Sequence, residues 1–180
     1  MPRSATLALR TLLAALCLAA AGAQAATLPP DALRDIARRI DDLGGAAFAQ
    51  HDYDKYVRET FPGIVEMSGG RDKMIEQMKA SFAMMDAQHV KFVSHVSTPE
   101  SQTTDAGKYE VLRVPEESVL EAGGHRVKVI SYTLAVRSKP AGEWTFIGGS
   151  GLVKQPQLLW QLLPGLPRDY KLPPSSMQPI

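Results

Sequence analysis

Residues 108–138 restrict the fold class more than any other part of this chain. Valine, isoleucine and tyrosine fill both arms of the stretch, and Glu121-Ala122-Gly123-Gly124 separates them. That is the composition of one long β-hairpin. Matching apolar partners across the arms predicts a three-residue loop, Ala122-Gly123-Gly124. Leu112 then faces Leu134, Val114 faces Tyr132 and Val119 faces Val127. Both arms change apolar parity midway, at Val111-Leu112 and at Val129-Ile130. A flat sheet with one buried face cannot serve both sets, so a bulge or strong bend is expected near Pro115. A long bent hairpin needs a cover over its concave face.

Residues 1–25 read as a secretory signal. Arg3 and Arg10 give a positive start, residues 11–21 form an Ala/Leu-rich core, and Ala23-Gln24-Ala25 is an A-x-A cleavage site. The apolar run falls short of the ~20 residues that span a bilayer. Cys17 follows Leu16, where a lipoprotein signal carries a small residue, so Cys17 is expected to leave with the signal. The expected product, residues 26–180, starts near Ala26, has no cysteine, and resides in a secreted or periplasmic compartment without disulfide or thiolate chemistry. A chain of this size buries ~70% of its unfolded surface, enough for one core. Removing Arg3 and Arg10 from the 20 basic residues leaves 18 against 19 acidic ones. A net charge near −1 argues against nucleic acid and anionic membrane as partners.

The remaining chain starts with Pro29-Pro30-Asp31, a helix opening. Leu33, Ile36, Ile40, Leu43 and Ala47 recur at helical spacing, while Arg34, Arg38, Asp41 and Asp42 form a solvated face. Gly44-Gly45 costs this helix roughly 1 kcal/mol per glycine relative to alanine, so a kink or loosened turn is expected there. His51-Asp52 breaks it, and a second helix covers residues 53–59 and ends at Phe61-Pro62-Gly63. Ile64-Val65-Glu66-Met67 reads as a brief strand. Ser68-Gly69-Gly70 then leads into a third helix with Met74, Ile75, Met78, Phe82 and Met85 at core spacing. From His89 the period becomes two, giving a strand that ends by Pro99, then a polar loop over residues 100–107 and the hairpin. A last strand carries Trp144 and Phe146 on one face. Beyond Gln155 the chain is Pro-rich. Residues 157–163 make one or two helical turns there, and the tail beyond Pro173 is expected to be mobile. The domain organisation is thus a signal at 1–25, an α+β domain at 26–154 and a C-terminal extension at 155–180.

Helices followed by antiparallel strands predict an α+β fold, with three N-terminal helices packed on a strongly curved sheet. In detail, the chain resembles the nuclear transport factor 2-like (cystatin-like cone) superfamily. The resemblance is carried by Phe48-Ala49-Gln50-His51-Asp52-Tyr53-Asp54-Lys55-Tyr56, Phe61-Pro62, Gly69-Gly70, the long hairpin and Trp144-Thr145-Phe146-Ile147. It covers residues 33–152 and implies a cone whose mouth is a pocket, with dimerisation through the sheet in many members. Some members are isomerases, dehydratases or cyclases and others only bind or assemble, so the fold leaves function open.

In the resembling isomerases a carboxylate base sits between the second and third helices. Glu66 is the acid in that stretch here, and burial would suit it to proton transfer. The isomerases' Asp-Pro pattern is absent. His89 and His95 lie ~20 Å apart along one strand, too far to share an ion, and no metal or cofactor is expected. Gly148-Gly149-Ser150-Gly151 has neither the spacing of a nucleophile elbow nor the following helix of a phosphate cradle, and reads as a bent strand end. The concave face should collect Leu112, Val114, Ile130, Tyr132 and Leu134 with Phe92, Trp144 and Phe146. A pocket for a small apolar ligand would then draw polar contacts from Tyr56, Tyr132 and Glu66. Trp160, in the apolar run Leu158-Leu159-Trp160, is expected to fold back and partly close that pocket. The favoured reading is an exported, non-catalytic ligand-binding or interaction domain. An acid/base lyase or isomerase with Glu66 as base and a homodimeric assembly module are the alternatives.

Overall fold

The computed structural model describes residues 26–47 and 50–180. The expected signal at 1–25 lies outside the described residues, as do Phe48 and Ala49 of the quoted motif. The architecture is α+β with six antiparallel strands in one open sheet among the described residues.

Helix α1, Pro30–Asp42, starts with proline at its first position, where the missing N–H costs nothing, and buries Ile36 and Ile40 four residues apart. The loosening expected at Gly44-Gly45 takes the form of a π-helical turn, Leu43–Ala47. Helix α2, Tyr53–Glu59, is capped by the Asp52 carboxylate, which accepts from the Lys55 backbone N–H at 3.0 Å. Residues 64–67 are not the brief strand the composition predicts. They belong to helix α3, Pro62–Met67, because Pro62 supplies a first helical position and four apolar residues do not fix a period. Helix α4, Arg71–Ala87, follows Gly70, whose φ of 95° only glycine adopts without strain.

Strand β1 is Lys91–Ser97 and β2 is Thr103–Ala106, a short strand inside the expected polar loop. The hairpin consists of β3, Tyr109–Ala122, and β4, His125–Ser138. Its turn has two residues rather than three. Gly123 and Gly124 both have positive φ, 58° and 80°, the requirement of a tight turn matched to strand twist. The register is therefore one residue from that expected: Leu112 pairs with Ala135, Val114 with Thr133 and Leu120 with Val127. The pairing runs unbroken past Pro115, where a bulge was expected. The bulge is in β1 instead, between Phe92 and Ser94, where Val93 has no partner on β3.

Strand β5, Thr145–Gly148, pairs with the inner end of β4. Residues 149–154 form helix α5, Gly149–Lys154, and not a bent strand end. Helix α6, Leu158–Leu162, follows. The tail beyond Pro173 carries strand β6, Ser176–Pro179, which pairs with Val127, Lys128, Val129 and Ile130 of β4. Each long central strand is thus flanked by two short ones, β1 and β2 on β3, β5 and β6 on β4.

Side chains alternate across a strand, so this register sorts the hairpin into two faces. On one, Leu112, Val114 and Ala135 cluster with Leu28, Ile36, Ile40, Leu43, Trp144 and Phe146. On the other, Val111, Tyr132, Leu134 and Val136 cluster with Leu152, Leu159, Leu162, Leu163 and Leu166. The inner half of the hairpin is apolar on both sides because both sides are covered, which accounts for the parity change without a bend. Trp160 packs within the protein, but on the extension side.

Candidate functional site

The face bearing Leu112 and Val114 continues outward to Glu116, and there the packing opens into a cavity of about 240 Å³. Ile40, Leu43 and Gly44 line it from α1 and the π turn, and Tyr56 and Thr60 from the α2 segment. Ile64 and Met74 close another side, and the sheet contributes His95, Glu116, Thr133, Phe146 and Gly148. An adjoining recess of about 340 Å³ shares Leu43, Gly44, Tyr56 and Met74 and extends over Met78, Phe82 and Phe92. The combination is a polar inner end and a mainly apolar outer lobe, whose polar members are Ser68, Gln77 and Ser81 beside the Tyr56 it shares with the cavity.

The Val93 bulge places Phe92 and His95 on the same face, although a separation of three residues in a regular strand would oppose them. The π turn does the matching work on the other side. A Cβ at Gly44 would stand 3.0 Å from His95 Nε2, so glycine lets α1 approach the imidazole. His95 Nδ1 lies 2.8 Å from Ser118 Oγ and Nε2 lies 3.3 Å from Ser97 Oγ. Asp41 Oδ1 is 3.7 Å from Nε2, beyond hydrogen-bond length. Burial lowers the His95 pKa and the Asp41 charge opposes this, so the ring is mainly neutral at neutral pH.

Glu116 is the unusual group. Burial pushes its carboxyl up to about 7, the Thr133 hydroxyl works against that shift, and Asp41 adds to it. Its Oε1 is wholly enclosed without a hydrogen-bond partner, as is Asp41 Oδ1. The Tyr56 hydroxyl is held above its ordinary pKa by burial first and by Glu116 second. An acid close to neutrality beside a neutral imidazole can exchange protons with a bound molecule or donate and accept hydrogen bonds.

Of the residues singled out from sequence, Tyr56 and Phe146 line the cavity and Phe92 lines the adjoining recess. Trp144 is buried in the helix-side core, with the Arg137 guanidinium 4.6 Å from its ring centre. Tyr132 and Trp160 are on the opposite face of the sheet. Tyr132 points away from the cavity because the true register shifts it by one residue from the expected one, and its hydroxyl is buried under the extension. Trp160 therefore does not close the cavity, and its indole N–H donates to the Pro167 carbonyl at 3.2 Å. Glu66 is exposed on α3, outside the cavity lining. Glu116 and Thr133 were not singled out, Asp41 was placed on the solvated face of the first helix, and His95 was weighed only as a metal ligand. Glu116 had a legible signal, an acid that continues the parity of Leu112 and Val114 on a buried face. His95 had none, since its orientation depends on the bulge.

Among the described residues no three His, Cys, Asp or Glu side chains converge on a metal position, and no helix is long and apolar enough to cross a membrane. Comparison with protein-family models, with curated proteins and with solved structures finds no match for the chain.

Proposed function

We propose that this chain is an exported domain of the nuclear transport factor 2-like type, a cone that binds a small, partly apolar molecule. The observation that carries the reading is the cavity at Glu116. A half-open pocket of about 240 Å³ lies between sheet and helices and shares four lining residues, Leu43, Gly44, Tyr56 and Met74, with the adjoining recess. It combines apolar walls with a few convergent polar groups, the usual make-up of a small-molecule site. With the adjoining recess of about 340 Å³ it falls in the size range of small-molecule pockets, from ~300 Å³ upward. Export rests on the signal at residues 1–25, and the family assignment on the helix-then-hairpin order together with the quoted motifs.

The test is retention. The protein purified without denaturation is examined by native mass spectrometry for a bound small molecule. Gly148 lines the cavity, has ordinary φ, and a Cβ there meets nothing within 4 Å. Gly148→Leu should therefore fill the space, abolish retention, and leave the melting temperature within a few degrees. A ligand retained equally by both proteins places binding elsewhere.

One observation favours a second reading, an acid/base lyase or isomerase. Glu116 near 7 can take or give a proton at neutral pH without a large penalty, and His95 stands on the same cavity wall. In this reading the base is Glu116 and not Glu66. Turnover that falls at least a hundredfold in Glu116→Gln, with substrate binding intact, would select it over simple binding.

A further inference from the structure

The charge around the cavity narrows what it can hold. Glu116 Oε1 is enclosed and without a partner, and in its ionised form the carboxylate only accepts, so a ligand that completes that form must donate. No lysine or arginine lines the cavity or the adjoining recess. Two cations of the covering helices are engaged elsewhere. Arg39 pairs with Glu59 and donates to the Trp144 carbonyl at 2.8 Å, and Lys55 Nζ lies 3.7 Å from Asp42. Five other elements bring groups to the cavity around Glu116: Asp41 from α1, Tyr56 from α2, His95 from β1, Thr133 from β4 and Ser150 from α5. None of them supplies a positive charge at neutral pH, since burial keeps His95 neutral.

We infer that the cavity accepts a small organic cation, an ammonium carried on an apolar body, with the ammonium donating to Glu116 and the body lying toward Met74 and the adjoining recess. This rests on the ligand-binding reading above. The ammonium has three donors, so Glu116 and the Thr133 hydroxyl can be satisfied together, while Asp41 adds attraction from behind His95. A carboxylate or phosphate would meet two acids with no counter-charge. A ketone is the competing occupant, because Glu116 in its protonated form can donate to a carbonyl. The two occupants have opposite pH dependence: a cation needs the ionised acid, a carbonyl the protonated one.

The experiment is isothermal titration calorimetry of the purified protein with 2-phenylethylamine, acetophenone and phenylacetate at pH 6 and pH 8. The amine stays charged throughout. It should bind at least tenfold more tightly than acetophenone at pH 8. It should also weaken roughly tenfold at pH 6, as an acid titrating near 7 goes from mostly ionised to mostly protonated. Phenylacetate should be the weakest of the three. Glu116→Gln should abolish the preference for amine over ketone, and the pH series on the unaltered chain keeps the test independent of whether that variant folds. Acetophenone or phenylacetate binding as tightly as the amine, or an amine affinity indifferent to pH and to Glu116→Gln, overturns the cation and leaves the ligand site standing. Failure of all three probes at millimolar concentration overturns both.

Discussion

The two faces of the hairpin alternate residue by residue along the same strands, yet they end in different states. On the extension side Val111, Leu134, Val136, Leu159 and Leu163 are fully buried, and a Cβ added at Gly165 would stand 2.5 Å from the Ala106 carbonyl oxygen. On the helix side Leu112, Val114 and Ala135 are buried as completely, but two residues farther along β3 the packing gives way to Glu116 and a cavity. One face is closed with leucines from the segment that follows β5. The other leaves an acid partly in the dark and a space beside it. Proteins commonly give up stability at the place where they bind, and on the ligand-binding reading proposed above the two tasks are separated by the parity of a strand.

The sharpest way to break that contrast is to truncate matched apolar groups on the two sides. Leu159→Ala or Leu163→Ala, at positions with no exposed surface, should cost about 2–5 kcal/mol. Ile40→Ala, in the helix-side cluster and on the wall of the existing cavity, should cost clearly less, since its loss enlarges a space that is already there. Urea midpoints measure both; equal losses would mean that the extension is no better packed than the site.

A second effect, on the order of 2–3 kcal/mol, concerns pH. Folding raises Glu116 from its ordinary 4.5 to about 7, so the folded state favours the protonated acid. That contribution is fully present below about 4.5 and is lost as pH rises through 7. Glu116→Gln should therefore flatten the stability profile between pH 5 and 8 and raise the melting temperature at pH 8. A parallel profile in the variant would show that the acid is not strained by its surroundings. The smallest effect is expected at β6. All four of its side chains are exposed, so ending the chain at Ser175 should cost under about 1 kcal/mol and leave the leucine-covered face intact. A loss comparable to Leu163→Ala would make the strand part of that face rather than an edge trim.

The sequence carried the α+β order, both arms of the hairpin and the docking of the leucine-rich extension. What misled was the assumption of one buried face. Apolar matching identifies register only when polar residues mark the other side, and with Val111 and Leu112 both at zero exposure it favoured a pairing off by one. That slip moved Tyr132 into the expected pocket and hid the continuity of Leu112, Val114 and Glu116. Glu66 was misplaced for a local reason: four apolar-leaning residues after a proline can begin a helix as readily as a strand. Asp41 passed as solvated because it lies off the apolar stripe of α1. Only the tertiary placement of β1 brings a histidine over it.

Val93 gives the site a tolerance of chain length. It is the one residue of β1 skipped by the ladder, so Phe92 and His95 pair with Leu120 and Ser118, positions two apart on β3. Deleting Val93 would leave a regular strand in which Phe92 and His95 are two residues apart and still on one face. A homologous chain one residue shorter here, with Asp41, His95, Glu116 and Thr133 kept, should therefore present the same polar wall. Smoothing out the bulge while Val93 stays is the change that would set Phe92 and His95 on opposite faces.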